Sequence, residues 1–357
     1  MSQEQTNEAP RGRRGNEVPP ADLEWCYDAV EDVSRTFALT VAELEEPMSR
    51  DICVGYLLCR VADTVEDAGH IPAEEKHALL RCYGRVFDPE EDMTVATFRD
   101  RVAEWIPEDP DDDWTVVAES PRIVRTFEAL DPASKRAIRP PVQELIDGMA
   151  MFVNRHADTG GLRLRTFEEL EEYCWYAAGT VGTLVTGLLS RNVDPSVRDT
   201  LHNNARSFAL LLQLVNVAKD VAVDYEEENN VYLPREFLED HDLDTKDITD
   251  PGKSEAFGPI IRRVVDRADG YLDGAQQWLE AMPEIRGNTL SAWAIPFLLA
   301  VGTIRELEER PEDVIQEGDV KVSRPEVFAV LNSFGNGENP SVAELRAKMR
   351  QQPLHEH

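Results

Sequence analysis

Apolar residues recur at i, i+3, i+4 and i+7 through most of the chain, the period of a helix with one face on a core. Alternating runs closed by hairpin turns do not occur. The pattern predicts helices over roughly 21–44, 47–68, 73–87, 94–105, 120–130, 132–156, 166–190, 196–225, 254–281, 288–309 and 323–333. Breaks fall where Pro, Gly and acidic residues cluster: Pro72, the loop 107–113, Gly160-Gly161, Pro251-Gly252 and Pro283 to Gly287. No Gly- or Ser-rich linker divides the chain, so one all-α domain over 21–335 is expected. Residues 1–20 are polar, hold Arg11, Arg13 and Arg14, and predict a disordered tail without the apolar core of a leader. Residues 336–357 predict a polar, frayed C-terminal tail. The longest apolar runs, Phe208–Leu212 and Trp293–Val301, are too short to span a bilayer.

Two of these helices break their own pattern. The first is apolar from Ile52 onward except for Tyr56, Arg60, Asp63, Glu66 and Asp67, whose spacings of three and four put them on one stripe. Acids on a buried face are costly unless paired or metal-bound. One Arg cannot neutralise three carboxylates, so an outside cation is the natural complement. All-oxygen ligation suits Mg2+, Mn2+ or Ca2+. The second helix is apolar from Phe208 to Val223 but carries Asn216, Asp220 and Asp224 at i, i+4, i+8, with Gln213 and Lys219 nearby on the wheel. Two facing carboxylate stripes in a bundle suit metal-assisted ionisation of a diphosphate. The rival on chemistry, a di-iron four-helix protein, needs two Glu-x-x-His pairs on buried helices, and the sequence does not supply them. His77, His156 and His202 stand among polar residues and read as surface groups.

Composition tempers this. There are 69 Asp+Glu against 37 Lys+Arg, a formal net charge of -32. Such a surface repels nucleic acid and excludes it as a partner. It also makes acidic runs cheap. Asp109 to Asp113, Glu168 to Glu172 and Glu226 to Glu228 read as solvated faces. Self-repulsion on this scale predicts a protein suited to a high-salt cytoplasm. The five cysteines, Cys26, Cys53, Cys59, Cys82 and Cys174, are scattered and read as small buried hydrophobes rather than a disulfide or zinc framework.

Around the stripes the sequence resembles the squalene/phytoene synthase family over roughly residues 30–330. Ser34-Arg-Thr-Phe37 is similar to its phosphate-contacting segment, and Arg60-x-x-Asp63-Thr-Val-Glu66-Asp67 to its first acidic motif. Tyr173-Cys-Trp-Tyr-Ala-Ala-Gly-Thr-Val-Gly182 resembles its Tyr/Gly helix. Gln213-x-x-Asn216-x-x-Lys219-Asp220-x-x-x-Asp224, then Tyr232-Leu-Pro234, resembles its second acidic motif. Within the family, Gly148-Met-Ala-Met-Phe-Val-Asn-Arg-His156 resembles the squalene-forming branch. Ala294-Ile-Pro296 and Val320-Lys-Val-Ser-Arg-Pro325 resemble that branch's NADPH-contacting region.

The resemblance implies an isoprenoid-synthase-type helical bundle with a central active-site cavity, acting on prenyl diphosphates. Two farnesyl diphosphates would join head to head, close to presqualene diphosphate and be reduced to squalene. It implies Mg2+ (or Mn2+) held by Asp63, Glu66, Asp67, Asp220 and Asp224, with Tyr173 as the base. Ser34, Arg35, Tyr56, Arg60, Gln213, Asn216 and Lys219 would contact substrate. Arg35, Arg60, Lys219, Lys321, Ser323 and Arg324 would contact NADPH. Gly179, Gly182 and Gly187 would let substrate chains approach the helix backbone. Four positions depart from the family pattern: Lys219 for a usual Arg, Val223 for an acid, Asn230 near a usual Arg and Ser323 for a base. Two alternatives stay open: a phytoene or dehydrosqualene synthase without reduction, and a non-catalytic helical scaffold. A cytoplasmic monomer is expected, peripheral to the inner face of the cell membrane when its hydrocarbon product leaves.

Overall fold

The computed structural model describes residues 18–285, 288–318, 320–335 and 340–356, apart from the side chains of Arg35 and Glu284. Most of the expected N-terminal tail, residues 1–17, lies outside the described residues. The described residues form helices and loops with no strand, only one isolated parallel bridge between Arg163 and Val231.

The expected helix over 21–44 is two helices, α1 (Pro20–Val33) and α2 (Arg35–Glu43). Ser34 separates them in extended backbone, and its hydroxyl accepts the Phe37 N–H at 3.3 Å, an N-cap that restarts the helix. α3 (Met48–Asp67) and α4 (Ala73–Val86) follow. Then come α5 (Val95–Val102), α6 (Asp112–Ala118) and α7 (Ser120–Ala129). α8 (Pro132–Arg155) starts on an Asp131 cap and packs along α3 and α4. α9 (Phe167–Cys174) runs through a π-helical turn, Trp175–Gly179, into α10 (Thr180–Leu189). A Cβ on Gly148 of α8 would sit 2.1 Å from the Tyr176 ring, so glycine there is the seat of that turn.

α11 (Pro195–Lys219) is the central helix and packs on α10 and three later helices. The expected continuation to 225 is interrupted at Asp220, which caps α11 with φ -104° and ψ 14°. A short α12 (Val221–Val223) and a second π-helical turn, Asp224–Glu228, follow. The i to i-4 bonds persist across the break, Asp220 N to Asn216 O at 3.0 Å and Asp224 N to Asp220 O at 2.8 Å. The three residues therefore keep their common face.

After α13 (Arg235–Glu239), the expected helix 254–281 is α14 (Ser254–Asp269) and α15 (Leu272–Glu280). α16 (Thr289–Glu309) is long and apolar enough to cross a membrane, but 83% of its most apolar window is buried within the protein. α17 (Asp313–Gln316), α18 (Arg324–Phe334) and α19 (Val342–Met349) close the chain. The C-terminal segment is not a frayed tail. α19 buries Val342, Leu345 and Met349, and Arg305 of α16 ties it down. That guanidinium, buried at 3% exposure, grips both oxygens of Glu326 at 2.9 and 2.8 Å and the Met349 carbonyl at 2.7 Å. All five cysteines are free thiols and buried, as expected.

Candidate active site

α2, α3, α10, α11, α16 and the start of α18 enclose a cavity of about 680 Å3, within the usual size of small-molecule sites. On α11 its lining passes from apolar Phe208, Ala209 and Leu212 to polar Gln213, Asn216 and Lys219. On α3 it passes from Tyr56 and Cys59 to Arg60 and Asp63. The apolar wall is aromatic. Phe37 stacks on Tyr56 at 4.1 Å and Phe208 on Trp278 at 4.3 Å, while Trp293 meets Phe37, Phe208 and Trp278 edge-on.

Of the expected site residues, Ser34, Tyr56, Arg60, Asp63, Gln213, Asn216, Lys219 and Lys321 line this one cavity. Ser34 does so because the α1–α2 break turns it there. Lys219 pairs with Asp220. Arg35 opens α2, and its side chain lies outside what is described. Ser323 and Arg324 are exposed and stand off the lining; the Ser323 hydroxyl caps α18, accepting the Glu326 N–H at 3.4 Å.

Glu66, Asp67, Tyr173 and Asp224 stand off the lining and form an acidic cluster with Glu228 beside Asp63. Tyr173 Oη lies 3.2 Å from Glu66 Oε2 and 3.2 Å from Tyr232 Oη, with the two rings stacked at 4.9 Å. Asn230 donates to Tyr232 Oη at 3.1 Å and to Glu228 Oε2 at 3.2 Å. A continuous chain of polar contacts thus joins the first acidic motif to Glu228. The bridge between Arg163 and Val231 holds its two sides together, with Val231 N donating to Leu162 O at 2.9 Å.

Negative charge is in surplus here. Glu66 is held far above the ordinary carboxylate range by burial, then by Asp67. Burial and Asp63 raise Asp67 likewise. Burial and Asp220 push Asp224 up to about 8; burial and Asp224 push Glu228 up to about 8. Glu66 Oε1 and Asp67 Oδ1 are buried with no donor from another residue, and the two carboxyls lie within hydrogen-bond reach of each other. One buried cation is nearby: Lys76 donates to the Glu66 carbonyl at 2.6 Å, and burial lowers its pKa. Burial, then Glu66, pushes the Tyr173 phenol well above its usual value.

Two expectations need correction. Glu228 belongs to the acidic cluster, not to a solvated run, because the π-helical turn swings it inward. Asp113 pairs with Arg60 of the site, while Glu169 and Glu172 pair with Arg155. Gly182 lines the cavity and also sits close against α11, where a Cβ would meet Ala209 Cβ at 2.8 Å; a Cβ on Gly179 would meet the Trp175 ring of its own turn at 2.3 Å. Each depends on residues distant in sequence or on a π turn, which periodicity does not reveal.

The fold and cavity define an all-helical bundle around a cavity that is polar on one side and walled by aromatic rings on the other. The chain belongs to the squalene/phytoene synthase family, whose model matches residues 30–326. It is 26% identical over 329 residues to the squalene synthase of Schizosaccharomyces pombe, an alignment covering 91% of this chain and 67% of that protein. It is 25% identical to squalene synthase LSS of Botryococcus braunii, covering 94% and 71%. The ligand complex of TcSQS with BPH1237 superposes with a TM-score of 0.74 at 25% identity, over 92% of this chain and 90% of that one. The chain spans about two thirds of the length of these curated relatives.

Proposed function

We propose that this chain is a Mg2+-dependent squalene synthase that joins two farnesyl diphosphates through presqualene diphosphate and reduces the product with NADPH. One observation carries the reading. Ser34, Arg60, Asp63, Gln213, Asn216 and Lys219, from three separate segments, share a single cavity with the aromatic wall of Phe37, Phe208, Trp278 and Trp293. The polar part fits diphosphates and the apolar part fits prenyl chains.

The residues fit a divalent cation. Two buried oxygens without a donor from another residue and four carboxylates with raised pKa values call for positive charge. Among the described residues no three such side chains form a ready-made cage. Mg2+ binds through one or two carboxylates plus substrate phosphates and does not require such a cage. Asp63, Glu66, Asp67, Asp220 and Asp224 would hold it. The NADPH phosphate end fits the start of α18, where Lys321 lines the cavity and Arg324 adds charge at a helix N-terminus. When bound, Mg2+ supplies charge to the leaving diphosphate and NADPH supplies hydride.

The protein's own part is binding, orientation and exclusion of water. Arg60, Lys219 and Ser34 hold phosphate oxygens, Arg60 through the edge that carries NH1. The aromatic wall keeps water from the allylic cation and offers it ring faces. Tyr173 takes the proton released as the cyclopropane closes. Because burial disfavours the phenolate, Tyr173 must pass its own proton on as it accepts one, and Tyr232 Oη, 3.2 Å away and tied through Asn230 to Glu228, is the start of a relay. Lys219 keeps the charge of the usual Arg without its fork.

Incubation with farnesyl diphosphate and Mg2+, with and without NADPH, tests the reading. Squalene is expected only with NADPH. Phytoene from geranylgeranyl diphosphate, dehydrosqualene, or no turnover would replace it with one of the alternatives.

A further inference from the structure

We propose that Asp113 is a positioning residue for Arg60, fixing the edge of the guanidinium that meets substrate diphosphate. The inference rests on the diphosphate-binding reading of the cavity. Arg60 Nε donates to Asp113 Oδ1 at 2.6 Å and its NH2 donates to Oδ2 at 3.0 Å. Asp113 therefore occupies one full edge of the fork. NH1 donates to Asp63 Oδ2 at 2.6 Å. Arg60 and Asp63 line the cavity, whereas Asp113 is not among the lining residues. The edge carrying NH1 is thus the one presented to an anion in the cavity.

Asp113 is itself held firmly. It lies in the first turn of α6, where acidic residues suit the helix dipole. Asp111 caps that helix, accepting the Trp114 N–H at 2.9 Å, and the Trp114 side chain is buried. α6 packs on α3, which carries Arg60. An isolated exposed pair would be worth little, but a two-point pair on a braced helix orients a long side chain before ligand arrives.

The sign of one mutation decides the matter. If Asp113 acted only through charge, removing it beside an anion site would tighten diphosphate binding. Positioning predicts the reverse. In calorimetric titration of the full chain with inorganic diphosphate and MgCl2, Asp113→Asn should bind about tenfold more weakly than wild type. KM for farnesyl diphosphate should rise by a similar factor, while kcat falls less than about threefold. Arg60→Lys keeps the charge and loses the fork, so adding Asp113→Asn to it should weaken binding no further. Asp109→Asn, removing a charge from the same acidic loop, should change neither quantity. Unchanged or tighter binding in Asp113→Asn, or full additivity with Arg60→Lys, overturns the inference alone. A wild-type chain that binds no diphosphate overturns the functional reading and this inference with it.

Discussion

His156 stands among polar neighbours in sequence yet is 4% exposed. Its ring stacks on Phe152, and Nε2 lies 3.4 Å from Glu169 Oε1. Burial lowers its pKa, against the pull of Glu169. The folded state therefore binds this proton less readily than the unfolded chain. That contribution to stability is complete above the ordinary histidine pKa of about 6.5 and is lost as pH falls through the lower folded value. His156→Asn should be less stable than wild type at pH 7.5, and the gap should narrow at pH 5.5. Urea midpoints at the two pH values measure it; a constant gap would show that His156 titrates equally in both states. At this scale the sequence revealed residues that contradict their surroundings, such as Asp63 on an apolar helix. It could not reveal Asp113 or Glu228, which look like their acidic neighbours and differ only in what the fold brings against them.

Helix pattern was legible because burial repeats with the helical period. The breaks were less so. The Ser34 break, the Asp220 cap and the two π turns each shift a helix face by part of a turn, and hydrophobic periodicity averages over such shifts. Close packing of α10 on α11 makes a prediction at the same scale. In helices, Ala is favoured over Gly by up to about 1 kcal/mol. At Gly187 a Cβ would meet Ala137 Cβ at 3.6 Å, an ordinary contact, so Gly187→Ala should be neutral or raise the melting temperature. At Gly182 the same atom would meet Ala209 Cβ at 2.8 Å and the Ala205 carbonyl at 3.2 Å. Overpacking costs about 1–3 kcal/mol and outweighs the propensity gain. Gly182→Ala should therefore melt lower, and because Gly182 and Ala209 both line the cavity it should also raise KM.

Across the whole molecule the formal charge of -32 is the dominant long-range term. Salt shortens the screening length from about 10 Å at 0.1 M to about 3 Å at 1 M. Screening relieves repulsion between surface carboxylates but hardly touches buried pairs such as Arg305–Glu326. The melting temperature should rise by about 5 °C or more from 0.1 to 2 M KCl. A flat melting curve against KCl would remove the expectation of a high-salt setting.

The sequence by itself determined that the chain is helical, that two apolar helices carry acidic stripes, and which family it resembles. These follow from local spacing, which a linear chain records directly. Only the tertiary structure decided that the C-terminal segment is packed, that Asp113 grips Arg60, and that Glu228 joins the acidic cluster. Those depend on contacts between residues far apart in the chain, such as Arg60 with Asp113 and Arg305 with Met349. Their partners are chosen by packing of whole helices, and no local pattern encodes that choice.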